Sequence, residues 1–381
     1  MSPLVNSSSA LSTLSFQSYR AGPYNCFAPF VSSLIMDTIK ALLFSFFHLL
    51  FFLSGQQQQV LGHRQLYGFR PTKLFVFGDS YVDTGNIPKS VLGSWKEPYG
   101  LTFPGKPAGR FSDGRVLTDY LARFVGIKSP IAYRWRKIAL KNLKYGMNFA
   151  FGGTGVFDTL VVNPNMTTQI DFFQQVIKEA VYSPADLKSS LALVSAAGND
   201  YSTYVAVNGS AEGFQPFITK VVNQLTLNMK RIHGLGVRKI LVPSLPPLGC
   251  LPQSTSKLSF QQCNETENSL SGFHNLLLQQ AVAKLNNETK DSAFVILDLF
   301  GAFMTTFKNK GSSKTENPLM PCCVGIGKDS SCGSVDDNGV KLYTVCAKPE
   351  ASFFWDGVHP SQEGWQSVYS ALKPKLQQIY C

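Results

Sequence analysis

From residue 72 onward the chain alternates short apolar runs with longer stretches in which apolar residues recur every three or four positions. The runs cover 74–77, 147–151, 191–197, 239–243 and 294–299. Each is too short for a helix and nearly continuous in apolar character, the pattern of strands buried on both faces. The stretches 168–180, 217–233 and 267–286 carry helical spacing. Five strands separated by helices predict an α/β class protein, a doubly wound sandwich around a five-stranded parallel sheet. Residues 361–380 predict a closing helix that Pro374 bends or interrupts. Residues 309–349 break the alternation, being rich in Gly, Ser and Cys with weak periodicity. A loop this long in a compact domain is functional or tethered, and its cysteines supply the tether. No internal repeat or linker divides residues 72–381, which are read as one domain. A chain of 381 residues with 44% hydrophobic content is enough for one large core.

The N-terminal segment stands apart. Residues 41–53 are thirteen nearly unbroken apolar positions, followed by Ser54, Gly55 and four glutamines. A bilayer span needs about 20 such residues, so no stable membrane span is expected. The length fits a signal-peptide h-region, with 36–40 as its n-region. Residues 1–55 are thus read as a cleavable leader and 56–71 as a short lead-in to the mature domain. Residues 1–35 are Ser-rich and hold no Asp or Glu, which resembles a plastid transit peptide; alternatively Met36 is the true start. Secretion is the favoured expectation. Sequons at Asn165, Asn208, Asn264 and Asn287 agree with it.

Seven of the eight cysteines (250, 263, 322, 323, 332, 346 and 381) lie from residue 250 onward, and no Cys-x-x-Cys pair occurs. The usual zinc knuckle is therefore absent, and disulfides are expected instead. Cys250 with Cys263 is one candidate; two more fall among Cys322, Cys323, Cys332 and Cys346, with connectivity open. The net charge of +11 serves solubility, with attraction to an acidic wall polysaccharide as the sharper alternative. No basic motif interleaved with aromatics is present, so a nucleic-acid partner is not expected. The chain is expected to act as a monomer.

Chemistry concentrates where the apolar runs end. The first run stops at Gly78-Asp79-Ser80, and ligands of open α/β sheets bind at the carboxyl ends of strands. A serine hydroxyl needs a positioned base before it attacks. Of five histidines, His48 and His63 lie in the leader, and His233 and His274 sit in helical patterns and read as structural. His359 differs: it lies in a polar turn three residues after Asp356, so that carboxylate can hold one ring nitrogen and leave the other to take a proton. Residues 148–155, rich in glycine, and Gly198-Asn199-Asp200 end two further runs and could aim donors at an oxyanion. The chain lacks His-Glu-x-x-His and Gly-x-Ser-x-Gly, and Pro107 occupies the Ser/Thr position that a phosphate-binding loop at 100–106 would need.

These four blocks, in this order, resemble those of the GDSL-type esterase/lipases, the SGNH hydrolases. Residues 98–100, 109–115 and 245–250 resemble the plant branch of that family, and the likeness runs from about residue 72 to 380. The resemblance implies a flavodoxin-like three-layer α/β/α sandwich and a serine esterase that acts through an acyl-enzyme without metal or cofactor. It implies Ser80 as nucleophile, His359 as base and Asp356 as its orienting carboxylate. The Ser80 and Gly153 amides and the Asn199 side chain would form the oxyanion hole. An ester is the implied partner: a lipid, an acetylated polysaccharide or a small-metabolite ester. An acyltransferase on the same site, or a non-catalytic binding protein on the same fold, are the alternatives. One departure shows: the leucine that usually follows the motif serine is Tyr81 here, which puts substrate preference in question and leaves the proton path intact.

Overall fold

A computed structural model of the chain describes residues 69–90, 93–308 and 317–380. The leader, its h-region, His48 and His63, Cys26 and Cys381 lie outside them. The strands are β1 (Lys73–Gly78), β2 (Ile131–Ala132), β3 (Gly146–Asn148), β4 (Ser190–Ser195), β5 (Lys239–Pro243), β6 (Phe294–Leu297), β7 (Cys323–Gly325) and β8 (Tyr343–Val345). The helices are α1 (Leu117–Phe124), α2 (Met166–Lys178), α3 (Pro184–Lys188), α4 (Gly198–Ala206), α5 (Ala211–Gly234), α6 (Pro252–Thr255), α7 (Glu265–Thr289), α8 (Leu299–Lys308) and α9 (Gln362–Gln377).

Six strands form one parallel sheet in the order β2-β3-β1-β4-β5-β6. The five expected strands are all present. The sixth, β2, is two residues long at the edge and too short to leave a pattern in the sequence. Without it the order is that of flavodoxin, with the chain reversing direction at β1. The carboxyl ends of β1 and its neighbours therefore line the crevice where such folds bind ligands.

Period-two alternation sends the β1 side chains to two cores. Phe75 and Phe77 join Met147, Phe149 and the inner faces of α2, α5 and α7. Leu74 and Val76 join Leu191, Leu193 and the inner faces of α1, α8 and α9. The result is three layers. Each of these β1 side chains is fully buried, contributing roughly 1.5–3 kcal/mol.

The helix starts follow local chemistry. Asn165 caps α2 by accepting from Thr168 N, Ser210 caps α5 through Gly213 N, and Asn264 caps α7 through Thr266 N and Glu267 N. Helix α9 begins behind Ser361, which accepts from Gly364 N, and it continues through Pro374 to Gln377. Pro374 does not interrupt it, because buried Leu372 and Leu376 anchor both sides of that turn. The Cys-rich segment folds as an antiparallel pair, β7 with β8. Cys322 pairs with Cys346 and Cys323 with Cys332, while Cys250 pairs with Cys263 as expected.

Candidate active site

The site begins with a close approach. At the end of β1, Gly78 lies opposite Ser195 of β4, with φ +140° and no room for a Cβ: the atom would stand 1.9 Å from the Ser195 carbonyl oxygen. The chain then turns over Asp79, whose carbonyl accepts from Val82 N at 3.1 Å and Asp83 N at 2.9 Å. Ser80 sits at the head of this turn.

His359 reaches it from the other end of the chain. Ser80 Oγ lies 2.8 Å from His359 Nε2, and His359 Nδ1 lies 2.8 Å from Asp356 Oδ2. A carboxylate can only accept from Nδ1–H, which leaves the Nε2 lone pair to take the serine proton. Asp356 is itself pinned, accepting from Val358 N and His359 N at 2.9 Å each and from the Tyr99 hydroxyl at 2.7 Å. Burial would raise this carboxyl; the facing His359, the Tyr99 hydroxyl and the Val358 amide outweigh that and hold it below the usual carboxylate range. Phe111 stacks on the His359 ring at 5.0 Å between centroids.

The blocks are tied to one another by buried polar side chains. Asp83 accepts from Gly85 N (2.7 Å), Asn86 N (2.8 Å) and Gly152 N (3.1 Å). Asn148 Nδ2 donates to the Val82 carbonyl at 2.6 Å. Asp200 accepts from Val156 N and Phe157 N, both at 3.0 Å. Asn199 Nδ2 donates to the Thr154 carbonyl at 2.9 Å, which commits one of its two amide hydrogens. The Gly152 amide is spent on Asp83 and is not available to a ligand. Gly153 holds φ +78°. Ser80, Gly153, Asn199 and His359 all line one cavity of about 190 Å³; Asp356 stands behind the histidine.

Comparison with known proteins matches the chain to a family. Residues 74–372 fit the model of the GDSL-like lipase/acylhydrolases. A GDSL esterase/lipase of Arabidopsis thaliana is 60% identical over 352 residues, covering 90% of this chain and 98% of that one. The chain belongs to the GDSL esterase/lipases. It is a carboxylic ester hydrolase of the plant type. A second Arabidopsis GDSL esterase/lipase is 56% identical over 349 residues, with 90% and 98% coverage. Acetylajmalan esterase 2 of Rauvolfia serpentina is 29% identical over 336 residues, with 81% and 91% coverage. Among solved structures, an acetylxylan esterase of Geobacillus stearothermophilus is similar at 13% identity and TM-score 0.35, covering 81% of this chain and 95% of that one.

In this GDSL esterase/lipase, Tyr81 lines the cavity. Its hydroxyl donates to the Val358 carbonyl at 2.8 Å and so steadies the His359 turn. Three residues of the site escape sequence reasoning. Tyr99 sits in a block read only as a family likeness, yet it supports Asp356. Gln169, fully buried on α2, clamps the turn that carries Ser80: its Oε1 accepts from Gly78 N at 2.7 Å and its Nε2 donates to the Gly78 carbonyl at 2.9 Å. Its one sequence signal is a polar residue on the apolar face of an amphipathic helix. The third is His274, read as structural, whose ring lies on the cavity wall. His233 instead pairs with Asp291 at 3.4 Å, away from the site. Of the sequons, Asn208 and Asn287 are exposed, whereas Asn165 and Asn264 are half-buried helix caps.

The buried carboxyls carry a pH signature. Burial pushes Asp79 up to about 7, and Asp83 and Asp200 up to about 6, only partly offset by the amides they accept. In the unfolded chain such groups titrate at about 4. Between about 4 and 7 the folded protein thus binds more protons than the unfolded, and stability falls as pH rises through that window. His274 opposes this: burial lowers it to about 4, so it costs stability as pH falls through its usual range. Three carboxyls outweigh one imidazole. The melting temperature is expected to be a few degrees higher at pH 5 than at pH 7.5 by scanning calorimetry, on the order of 1 kcal/mol. Asp79→Asn should flatten the slope, and a melting temperature that fell between pH 7.5 and pH 5 would contradict it.

Proposed function

We propose that Ser80 is the nucleophile of this hydrolase, His359 its general base and Asp356 the group that orients the base. The unbroken relay Ser80–His359–Asp356, with 2.8 Å at each step, supports this above all else. Ser80 Oγ attacks the ester carbonyl carbon while its proton passes to His359 Nε2. The oxyanion is held by the Ser80 and Gly153 amides and by the uncommitted Asn199 amide hydrogen. The C–O bond to the alcohol breaks, and His359 returns the proton to the leaving oxygen. His359 next takes a proton from water, whose oxygen attacks the acyl-enzyme; the acid leaves and Ser80 regains its proton. No step in this sequence calls for a metal or cofactor, and no His, Cys, Asp and Glu grouping suited to a metal occurs among the described residues.

The substrate is proposed to be a short, compact ester. The cavity of about 190 Å³ is walled by Tyr81, Phe111, Leu245, Leu248, Leu251 and Leu299. That is below the roughly 300–1,000 Å³ of sites for drug-sized ligands. Activity on p-nitrophenyl esters is expected to peak between acetate and hexanoate, with kcat/KM for palmitate at least about tenfold lower. An optimum at twelve carbons or longer would overturn the assignment. Secretion is part of the proposal, supported by the three disulfides and by the exposed sequon residues Asn208 and Asn287. Among the described residues, no helix is long and apolar enough to cross a membrane. N-terminal sequencing of the exported chain tests it, with cleavage near residue 55 expected.

A further inference from the structure

Helix α7 presents an unusual inner face to the loop after β5. Asn268, Ser271, His274 and Asn275 recur at helical spacing, and all are buried. Three of them hold that loop by its backbone. Asn268 Oδ1 accepts from Gly249 N at 3.0 Å, and Ser271 Oγ accepts from Leu248 N at 3.2 Å. Asn275 accepts from Leu245 N at 2.7 Å and donates to the Leu245 carbonyl at 2.9 Å. His274 is the exception. It makes no hydrogen bond to the loop backbone; its Nδ1 lies 2.6 Å from the buried Tyr201 hydroxyl, and its ring lines the cavity that also holds Ser80.

The Tyr201 contact sets the tautomer. If Nδ1 carried the proton, the Tyr201 O–H would be left without an acceptor inside the protein, a costly arrangement at 4% exposure. The Tyr201 hydroxyl therefore donates to Nδ1, and the hydrogen of the neutral ring sits on Nε2, which is not among the fully buried unpaired atoms and so keeps accessible surface on the cavity side for an acceptor. Among the described residues no group accepts from that Nε2–H, although the residue is only 1% exposed. A donor without a protein partner, whose remaining accessible surface lies on the wall of a ligand cavity, is a donor kept for the ligand. Among the described residues no Lys or Arg lines the same cavity, so nothing there would compensate a carboxylate.

We propose that His274 is a specificity-determining residue: its Nε2–H donates to a neutral acceptor oxygen, an ether, hydroxyl or carbonyl, carried by the part of the ester that fills the cavity beyond Ser80. The substrate class is thus a short oxygen-bearing ester and not a plain alkanoate. This rests on the proposed function of the cavity and is tested separately from it.

The probes are p-nitrophenyl methoxyacetate and its chain isostere p-nitrophenyl butyrate. The readout is the ratio of their kcat/KM values, which cancels any general loss of activity. His274→Phe, which keeps a ring and removes the donor, is expected to lower the methoxyacetate-to-butyrate ratio about tenfold relative to the wild-type protein. His274→Gln, which restores an N–H, should recover part of it. Should His274→Phe fail to fold, Tyr201→Phe frees the tautomer and should lower the ratio with the imidazole still present. An unchanged ratio in the folded variants overturns the proposal. A wild-type protein that hydrolysed neither ester would sink the nucleophile assignment instead. The His274 assignment would then be decided by the affinities of the two esters for Ser80→Ala protein with and without His274→Phe, measured by NMR titration. A loss of relative affinity of about tenfold upholds it, and equal affinities refute it.

Discussion

Replacing Ser80 with alanine is expected to lower kcat for p-nitrophenyl acetate by about 10⁵- to 10⁶-fold while leaving the fold intact. The magnitude comes from what one atom does. In the proposed mechanism Ser80 Oγ is the attacking group of the first step, 2.8 Å from the imidazole that takes its proton; removing such a serine costs nearly the whole benefit of a triad. What survives is the binding and the oxyanion donors, whose backbone amides are untouched. Stability should change little, because Ser80 Oγ makes its bond to a histidine already held by Asp356 through Nδ1. Steady-state kinetics and a melting curve check both halves. A fluorophosphonate probe should label the wild-type chain at Ser80 and leave the Ser80→Ala protein unlabelled. Retention of more than about a hundredth of wild-type turnover in a folded Ser80→Ala protein would move the nucleophile elsewhere.

Gly78→Ala is expected to destabilise the protein by about 3–5 kcal/mol, a fall of about 10 °C or more in melting temperature or failure to accumulate as folded protein. A Cβ would stand 1.9 Å from the Ser195 carbonyl oxygen, and the backbone there holds φ +140°, where an L side chain is strained. The strands cannot separate cheaply, since the Gly78 N–H and C=O are both held by Gln169, and the carbonyl also by Thr154 Oγ1 at 3.1 Å. Because Ser80 is two residues further on, any folded fraction should also lose kcat. Urea denaturation and specific activity per folded molecule measure the two effects. Gly272→Ala is the control: in the middle of α7, a Cβ at that position meets nothing within 4 Å, so this change should be neutral or stabilising by up to about 1 kcal/mol. Equal stability of the two variants would refute the close-approach account of Gly78.

Much of the fold and the site is legible along the chain itself. Strands β1, β4 and β5 announce themselves because each is a largely apolar run buried on both faces, whereas β3 (Gly146–Asn148) covers only the start of the apolar run 147–151 and the middle of β6 is half-buried. Helices α2, α5 and α7 announce themselves through spacing over 168–180, 217–233 and 267–286, but their true starts at Met166, Ala211 and Glu265 are set by the caps Asn165, Ser210 and Asn264, which the spacing does not show. The site candidates are legible for a different reason. Ser80, Asn199 and His359 sit in short polar turns directly after apolar runs, so local chemistry flags each of them. The edge strand β2 is not legible, because two residues cannot establish a period.

What the sequence alone determined is the inventory: an α/β alternation, a serine at a strand end, a histidine three residues from an aspartate, and cysteines enough to staple the C-terminal loop. Each of these depends on residues within a few positions of one another. Tertiary structure alone decided the pairings across the chain. Gln169 holds Gly78 from 91 residues away, Tyr99 supports Asp356 from 257 away, and Tyr201 sets the tautomer of His274 from 73 away. It also chose the partners of the adjacent cysteines 322 and 323. A buried polar side chain acquires its role from the group it meets, and in a parallel sheet that group is brought to it by crossover connections rather than by neighbouring sequence. For that reason His274 reads along the chain as one more helix residue, and only in the folded molecule as a donor facing the substrate cavity.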